Sequence, residues 1–262
     1  MISKVCVVGL GVIGIPTALH ISNFYDVEGY DISQKATEKA NASGLNSTYE
    51  KLPFADLYIL AVTTSMNRDT PDMSNIYDVC GKISQINPEA LICIESTIAM
   101  GTCRKVSEKF SLKNIVHCPH RYWPGDIINY GVVQTRVFGA MNDGSHKRGK
   151  AFYESQKIPI IEVSSIELAE MSKIAENAYR FVEIAFAEEL KMICDSHGLP
   201  FEELRKSCNT KWNIEILEAR DGIGGHCLPK DVRYLWTLLK SPLLSGAIDA
   251  DKLYKKLMRG KK

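Results

Sequence analysis

The chain has 262 residues, of which 45% are hydrophobic and 24% are charged, and its formal net charge is +1. This composition excludes a disordered chain, which combines low hydrophobicity with high net charge. It gives no support for a general nucleic-acid binder, which needs a basic excess to neutralise phosphates. No apolar run reaches the roughly 20 residues of a membrane span, so we expect a globular protein of one or two domains that binds neither nucleic acid nor membrane.

Short apolar runs alternate with amphipathic segments over residues 1–160. This alternation is typical of βαβ units on a parallel sheet. Helices are predicted between the runs, for example over Ile13–Asn23, Ile76–Ile86 and Thr102–Phe110. The predicted strands are Lys4–Val8, Val27–Ile32, Leu57–Val62, Leu91–Ile94, Ile115–Cys118, Arg136–Ala140 and Ile158–Val163.

The pattern becomes helical at Ser164. A long helix is predicted over Ser165–His197, a stop at Gly198–Pro200, a second helix from Phe201 and a last one over Pro229–Leu239. We expect the basic tail, Lys255–Lys262, to be a solvated, frayed end. The fold class is therefore α/β, with a sheet domain over 1–160 and a helical domain over 161–262. The long helix is apolar on more than one face, so it is expected to be buried and to form a homodimer.

The eight cysteines are scattered, with no C-x-x-C pair and no clustering with histidines. A disulfide framework or a structural metal site is therefore not expected. The apolar N-terminal stretch lacks a small-residue cleavage site, so it is not interpreted as a signal peptide. These features favour a reduced, cytoplasmic protein.

A glycine-rich turn follows the first predicted strand. Gly9, Gly11 and Gly14 form a G-x-G-x-x-G motif with Val12 and Ile13 between them, and the motif opens a helix. The first glycine permits a tight turn, the second lets backbone approach a pyrophosphate, and the third lets helix pack on strand. The helix N-terminus then offers free N–H groups to phosphate. The motif predicts a Rossmann-type dinucleotide site.

An acid ends the second predicted strand. Asp31 lies twenty residues after Gly11, where a carboxylate binds the ribose hydroxyls of NAD. The same carboxylate repels the 2′-phosphate of NADP, although Lys35 one turn later softens that preference. We therefore expect NAD as the cofactor.

Two candidate catalytic segments lie in the helical region. Lys173 and Asn177 are four residues apart on one helix face, so both can donate to a substrate oxygen. Three glycines precede Cys227, and Pro229 favours helix initiation close behind it. A cysteine at a helix N-terminus, near His226 and Lys230, is expected to be rich in thiolate and to be a nucleophile, while the other cysteines are expected to be core residues.

Six segments in chain order carry a family resemblance. They are V-V-G-L-G-V-I-G-I-P-T-A (Val7–Ala18), A-D-L-Y-I-L-A-V-T-T (Ala55–Thr64), E-S-T-I-A-M-G-T (Glu95–Thr102), C-P-H-R-Y-W-P-G (Cys118–Gly125), K-I-A-E-N (Lys173–Asn177) with the later A-F-A-E-E-L (Ala185–Leu190), and G-G-H-C-L-P-K-D (Gly224–Asp231). Together they resemble the UDP-glucose/GDP-mannose dehydrogenase family of nucleotide-sugar 6-dehydrogenases, in particular its UDP-N-acetylmannosamine dehydrogenase branch.

The resemblance implies a four-electron, two-NAD oxidation of a sugar C6 alcohol to a carboxylate, in polysaccharide biosynthesis. It makes Cys227 the thiolate that forms a thiohemiacetal and then a thioester, which water hydrolyses. The remaining roles also follow from the resemblance alone. The implied oxyanion stabilisers are Lys173 and Asn177, the groups that position water or assist proton transfer are Thr97 and Asp231, and the residues beside the cofactor are Thr63, Thr64, Thr97 and Lys230.

The sequence departs from the family pattern at two places. The family's glutamate after Cys-Pro is His120 here, which either serves as a base near neutral pH or marks the loss of the hydrolytic step. Only 31 residues follow Asp231, too few for the family's third, nucleotide-binding domain. We therefore expect a truncated chain, a partner that supplies the missing part, or a substrate that is not a full nucleotide sugar.

Two other functions are kept as alternatives. A two-electron β-hydroxyacid dehydrogenase has a similar architecture, with Lys173 as the acid–base group and Cys227 dispensable. A non-catalytic NAD-binding protein would have kept the fold and lost the substrate site.

Overall fold

The computed structural model describes residues 2–260, which form two compact units. The first unit comprises the chain up to Ser65 together with Pro71–Lys173, and the second comprises Met66–Thr70 and the chain from Ile174 onward. The sequence analysis placed the domain boundary at 160/161. The division at Lys173 falls inside a continuous helix, Ile166–Ser196, because no glycine or proline interrupts its helical pattern.

The strands are β1 (Lys4–Val8), β2 (Asp26–Tyr30), β3 (Ser47–Thr48), β4 (Leu57–Leu60), β5 (Ser65–Asn67), β6 (Thr70–Asp72), β7 (Leu91–Ile94), β8 (Ile115–His117), β9 (Arg136–Ala140) and β10 (Ile160–Glu162). Eight of them form the large sheet of the first unit, with the strand order β10-β9-β8-β7-β4-β1-β2-β3. A separate two-stranded sheet pairs β5 with β6.

The parallel sheet predicted from sequence is confirmed for all neighbouring strands of the large sheet except one pair. Strands β8 and β9 are antiparallel, with Val116 opposite Ala140. A parallel return needs a crossover of a dozen or more residues that is usually helical. The segment between these strands carries only a four-residue helix, Ile127–Tyr130, so it does not provide a regular helical crossover.

The helices of the first unit are α1 (Gly14–Ile21), α2 (Gln34–Ala42), α3 (Ser74–Ile86), α4 (Thr102–Phe110), α5 (Ile127–Tyr130) and α6 (Asp143–Ser155). Side-chain caps fix three helix starts, since Ser33 accepts from the Ala36 amide, Asp126 accepts from the Asn129 amide, and Asn142 forms a reciprocal capping box with Ser145. The central strands are buried on both faces, which explains their continuous apolar runs.

Four helices follow, α7 (Ile166–Ser196), α8 (Phe201–Cys208), α9 (Cys227–Leu239) and α10 (Pro242–Arg259). Gly198, with φ +67°, follows the end of α7, as the sequence predicted. The core of the second unit packs Phe181 of α7 against Val232 of α9 and Leu244 of α10. No helix within residues 2–260 has the length and apolarity that crossing a bilayer demands.

The C-terminal segment differs from the prediction of a frayed end. Lys255–Arg259 belong to α10, and Lys255 is half-buried. The reason is that Leu244, Asp251 and Tyr254 bury one face of this helix. The last helix predicted from the sequence ended at Leu239, so this buried face was not predicted. Residues Lys261 and Lys262, also part of that prediction, lie outside the described range.

Candidate functional site

The glycine turn after β1 has the geometry that the motif requires. Gly9 has φ +93°, and a Cβ there would lie 2.6 Å from the Ala61 carbonyl oxygen. A Cβ on Gly14 would lie 1.7 Å from the Gly9 carbonyl oxygen. A Cβ on Gly11 would have no described atom within 4 Å. Gly9 and Gly14 are therefore needed for the turn itself, whereas Gly11 leaves the backbone open to a ligand.

Asp31 lies directly after β2 with its carboxylate held by backbone. Its Oδ2 accepts from the Leu10 amide at 2.7 Å and its Oδ1 from the Ser33 amide at 2.8 Å. The glycine turn and the acid are thereby fixed to each other. This arrangement keeps a negative charge beside the turn, where it can accept hydrogen bonds from ribose hydroxyls.

A cavity of about 200 Å³ opens at the carboxyl ends of β1 and β4, where the strand order reverses. Ligands of open α/β sheets bind at such a switch point. Gly9, Gly11, Asp31 and Thr63 line it. The other proposed cofactor residues of this unit are placed outside that lining, with Val12 and Lys35 exposed, Ile13 half-buried, and Gly14 and Thr64 buried.

Thr64 joins the loop after β4 to the loop after β7. Its hydroxyl donates to the Thr97 carbonyl at 2.6 Å, and Ser96 donates to the Val62 carbonyl at 2.7 Å. Thr97 is half-buried. These bonds align the two loops at the carboxyl edge of the sheet, next to the cavity.

His120 belongs to a buried polar cluster. Its Nε2 lies against Oε2 of Glu95 and 3.1 Å from the Thr17 hydroxyl. Glu95 Oε1 also accepts from the Tyr153 hydroxyl at 2.8 Å and lies 3.1 Å from Arg136 Nη1. His120 Nδ1 is buried and has no hydrogen-bond partner in the described part of the chain.

The charges of this cluster set its protonation. Burial would raise the pKa of Glu95, but the charges of His120 and Arg136 outweigh it and lower that pKa to about 2. Burial and then the Arg136 charge lower the pKa of His120, and Lys173 contributes in the same direction. At neutral pH this favours an ionised Glu95 and a neutral His120, with the proton on the nitrogen that faces the carboxylate.

Lys173 and Asn177 both lie on α7, one turn apart and half-buried, as the spacing predicted. Asn177 Nδ2 donates to Oδ2 of Asp231 at 2.5 Å. The other carboxylate oxygen accepts from Lys230 Nζ at 2.5 Å, and that ammonium lies 4.2 Å from the centre of the Tyr234 ring. Asp231 is fully buried, so its charge depends on these donors.

Cys227 is the first residue of α9 and is exposed. Six of the other cysteines are buried and Cys208 is intermediate, in agreement with the prediction that they are core residues. All eight are free thiols. Gly225, with φ +76°, precedes the helix start. An exposed thiol at a helix N-terminus is the type of cysteine that serves as a nucleophile.

The candidate residues divide between the units. Those of the first unit are Gly9, Gly11, Val12, Ile13, Gly14, Asp31, Lys35, Thr63, Thr64, Thr97, His120 and Lys173, and those of the second are Asn177, Cys227, Lys230 and Asp231. No local sequence signal identifies Arg136 and Tyr153 as partners of Glu95. Both lie within apolar or amphipathic segments, and only the sheet topology brings them to Glu95.

Comparison with known proteins gives consistent matches. Residues 34–157 match the NAD binding domain of the UDP-glucose/GDP-mannose dehydrogenase family, and residues 167–248 match its central domain. The UDP-N-acetyl-D-mannosamine dehydrogenase of Methanococcus vannielii is 33% identical over 88% of this chain and 60% of its own length. The NDP-N-acetyl-D-galactosaminuronic acid dehydrogenase of Ralstonia nicotianae is 31% identical over 87% of this chain and 63% of its own length.

Among solved structures, the UDP-D-ManNAc dehydrogenase from Pyrococcus horikoshii superposes with a TM-score of 0.87 at 29% identity. The alignment covers 98% of this chain and 70% of that one. The chain spans about 60% of the length of the curated relatives it matches. Both family matches lie in the expected order. The chain therefore belongs to the UDP-glucose/GDP-mannose dehydrogenase family, whose NAD binding domain and central domain it carries.

Proposed function

We propose that this protein is an NAD-dependent dehydrogenase that oxidises the C6 alcohol of a nucleotide sugar to a carboxylate. One observation carries the proposal. Cys227, the only exposed cysteine among residues 2–260, lies at the start of the helix whose first turns hold the buried Lys230–Asp231 pair. The names of relatives, which are UDP- and NDP-sugar dehydrogenases, supply the substrate class.

The first unit fits NAD. The cavity at the switch point is lined by Gly9, Gly11 and Asp31, and α1 begins three residues after Gly11, at Gly14. A bound NAD would supply the hydride acceptor for each of the two oxidations. The backbone amides of the turn would hold the pyrophosphate, and Asp31 would bind the ribose hydroxyls and disfavour the 2′-phosphate of NADP.

Cys227 is the residue proposed to carry the covalent chemistry. In the proposed sequence the Cys227 thiolate adds to the C6 aldehyde left by the first oxidation, forming a C–S bond and a thiohemiacetal oxyanion. Asn177 and Lys173 would stabilise the negative oxygen as donors. Transfer of the second hydride to the cofactor would convert this intermediate to a thioester, in which the oxidised sugar is the acyl group on the Cys227 sulfur.

Hydrolysis completes the cycle. Water attacks the thioester carbonyl, the C–S bond breaks, and the products are the sugar carboxylate and the free thiol. We propose His120 as the base that takes the proton of this water through Nδ1, because Nε2 is occupied by Glu95 and Thr17. Thr97 and Asp231 would position the water or assist proton transfer.

We also propose that the protein is a homodimer through the second unit. Tyr179, Phe186 and Ile193 are each at least half exposed and recur every seven residues along α7. Such a repeat of large apolar side chains on one helix face is typical of helix–helix association. Sedimentation of the wild type and of Phe186→Asp tests this, and a wild type that stays monomeric at micromolar concentration contradicts it.

Counting NADH tests the enzymatic proposal. With a limiting UDP-N-acetylhexosamine, UDP-glucose or GDP-mannose, the proposal predicts two NADH per sugar consumed. One NADH per substrate with a simple hydroxy acid would instead support the β-hydroxyacid alternative, with Lys173 as the acid–base group. No NADH with any of these substrates would contradict both.

A further inference from the structure

Side chains of helix α10 form hydrogen bonds to the backbone of the loop that leads to Cys227. Tyr254 donates its hydroxyl to the Arg220 carbonyl at 2.7 Å. Asp251 Oδ1 accepts from the Ile223 amide at 2.8 Å, and Lys255 Nζ donates to the Ile223 carbonyl at 2.7 Å. We call Asp251, Tyr254 and Lys255 the α10 clamp.

The clamp uses both backbone polar groups of one residue. Asp251 and Lys255 are four residues apart on α10 and pair with each other at 2.7 Å, so a single ion pair satisfies the amide and the carbonyl of Ile223 together. Asp251 is only 6% exposed. The Lys255 side chain is 32% exposed, so the pair is partly shielded from water and its hydrogen bonds to the backbone are charge-assisted.

A glycine in the loop leaves room for the side chain of Lys255. Gly222 has φ +94°, and a Cβ there would lie 2.5 Å from Cγ of Lys255. The absence of a side chain therefore lets the lysine stem lie against the loop. The Ile223 side chain is 3% exposed and packs with Phe181 and Val232, which anchors the same residue from its other side.

Gly224 and Gly225 lie between Ile223 and the start of α9. A Cβ on either glycine would meet no described atom within 4 Å, so neither position is in close contact with a neighbouring segment. Cys227 follows at the start of α9. Within residues 2–260, Ile223 is the last residue before Cys227 whose backbone is held by side-chain hydrogen bonds.

We propose that the α10 clamp positions Cys227 for catalysis by fixing the loop at Ile223, with Asp251 and Lys255 as positioning residues. The catalytic part of this inference rests on the proposed function. The part that concerns loop order does not, because it can be measured without turnover.

The test compares two lysines of the same helix. Lys255→Met breaks the clamp, whereas Lys252→Met breaks an exposed pair with Asp249 that lies 2.9 Å apart and does not touch the loop. For Lys255→Met we expect amide deuterium exchange over 221–227 to rise about tenfold and kcat to fall about tenfold, with the Kd for NAD unchanged. Lys255→Arg, which keeps the charge and a donor, should recover most of both.

The possible outcomes distinguish the ordering of the loop, the catalytic positioning role and the proposed function. Equal exchange over 221–227 in the two methionine variants overturns the clamp. Increased exchange in Lys255→Met with kcat unchanged from wild type supports the ordering of the loop but overturns the catalytic positioning role. A loss of kcat that only parallels a drop in Tm, without recovery in Lys255→Arg, also overturns a positioning role. A wild type that forms no NADH contradicts the proposed function instead, and the exchange data then decide the loop-ordering part alone.

Discussion

The side-chain amide of Asn177 on α7 donates to the carboxylate of Asp231 on α9 across 2.5 Å, and that carboxylate is fully buried. Its second oxygen holds the ammonium of Lys230, which is itself only 7% exposed. Two helices of the second unit are therefore joined through one charge. Residues that the family resemblance assigns to catalysis also support the fold here.

Substitutions of Asn177 and of Asp231 are expected to lower the free energy of unfolding by different amounts. Asp231→Ala leaves the Lys230 ammonium buried without its counter-charge and should lower the free energy of unfolding by about 3 to 5 kcal/mol. Asn177→Ala removes one hydrogen bond and should cost only about 1 kcal/mol. Urea denaturation at pH 7 measures both. Equal losses for the two variants would show that Asp231 does not carry the charge of this network.

Substitutions at two glycines of the turn are expected to have different effects, one on cofactor binding and the other on folding. Gly11→Ala meets no described neighbour within 4 Å, so the protein should fold while NAD binding weakens by tenfold or more. Gly14→Ala drives a methyl group into the Gly9 carbonyl and should prevent a stable first unit. The measurements are Tm and NAD titration by calorimetry. Gly246→Ala on α10, also without a close neighbour, is the control and should leave NAD binding unchanged.

Glu188 on α7 is expected to make stability depend on pH. Burial and the charge of Asp251 raise the pKa of the Glu188 carboxyl from 4.5 to about 7, although the charge of Lys255 acts in the opposite direction. Because the folded value is the higher one, the stabilisation is complete below pH 4.5 and is lost as the pH rises through 7. Glu188→Gln should remove this loss, which amounts to about 3 kcal/mol at most.

Thermal unfolding between pH 5 and 8 measures the effect of Glu188. The wild type should lose stability relative to Glu188→Gln as the pH rises. Glu189→Gln changes the exposed neighbour on the same helix and should follow the wild type. Parallel curves for all three proteins would mean that Glu188 does not titrate in this range.

His120→Gln is expected to arrest the proposed reaction after the second oxidation. The amide cannot accept the proton of the attacking water, so the acylated Cys227 should accumulate and steady-state turnover should fall by 100-fold or more. Intact-mass spectrometry after a single turnover detects the added sugar. Tyr153→Phe removes a different bond to Glu95 at 2.8 Å and leaves the His120 contact, so it should not trap the adduct. Turnover by His120→Gln without an adduct would exclude His120 as the base.

The local signals of the sequence were sufficient for the cofactor turn. Strand, glycines, helix and acid lie within the first 31 residues, so their spacing alone predicts Gly9 beside Asp31. The buried cluster of Glu95 could not be predicted in this way. Arg136 comes from a distant strand, and the antiparallel return of β9 decides that it faces Glu95. The α10 clamp was missed for a similar reason, since Lys255 in the sequence resembles any basic tail.

A single-turnover comparison of the wild type with Cys227→Ser tests the central claim most directly. With enzyme in excess over a nucleotide sugar that the wild type oxidises, the account predicts two NADH per sugar for the wild type and no more than one for the variant. The variant lacks the thiol that captures the aldehyde, so oxidation should stop there. Two NADH per sugar at the wild-type rate in Cys227→Ser would contradict the account.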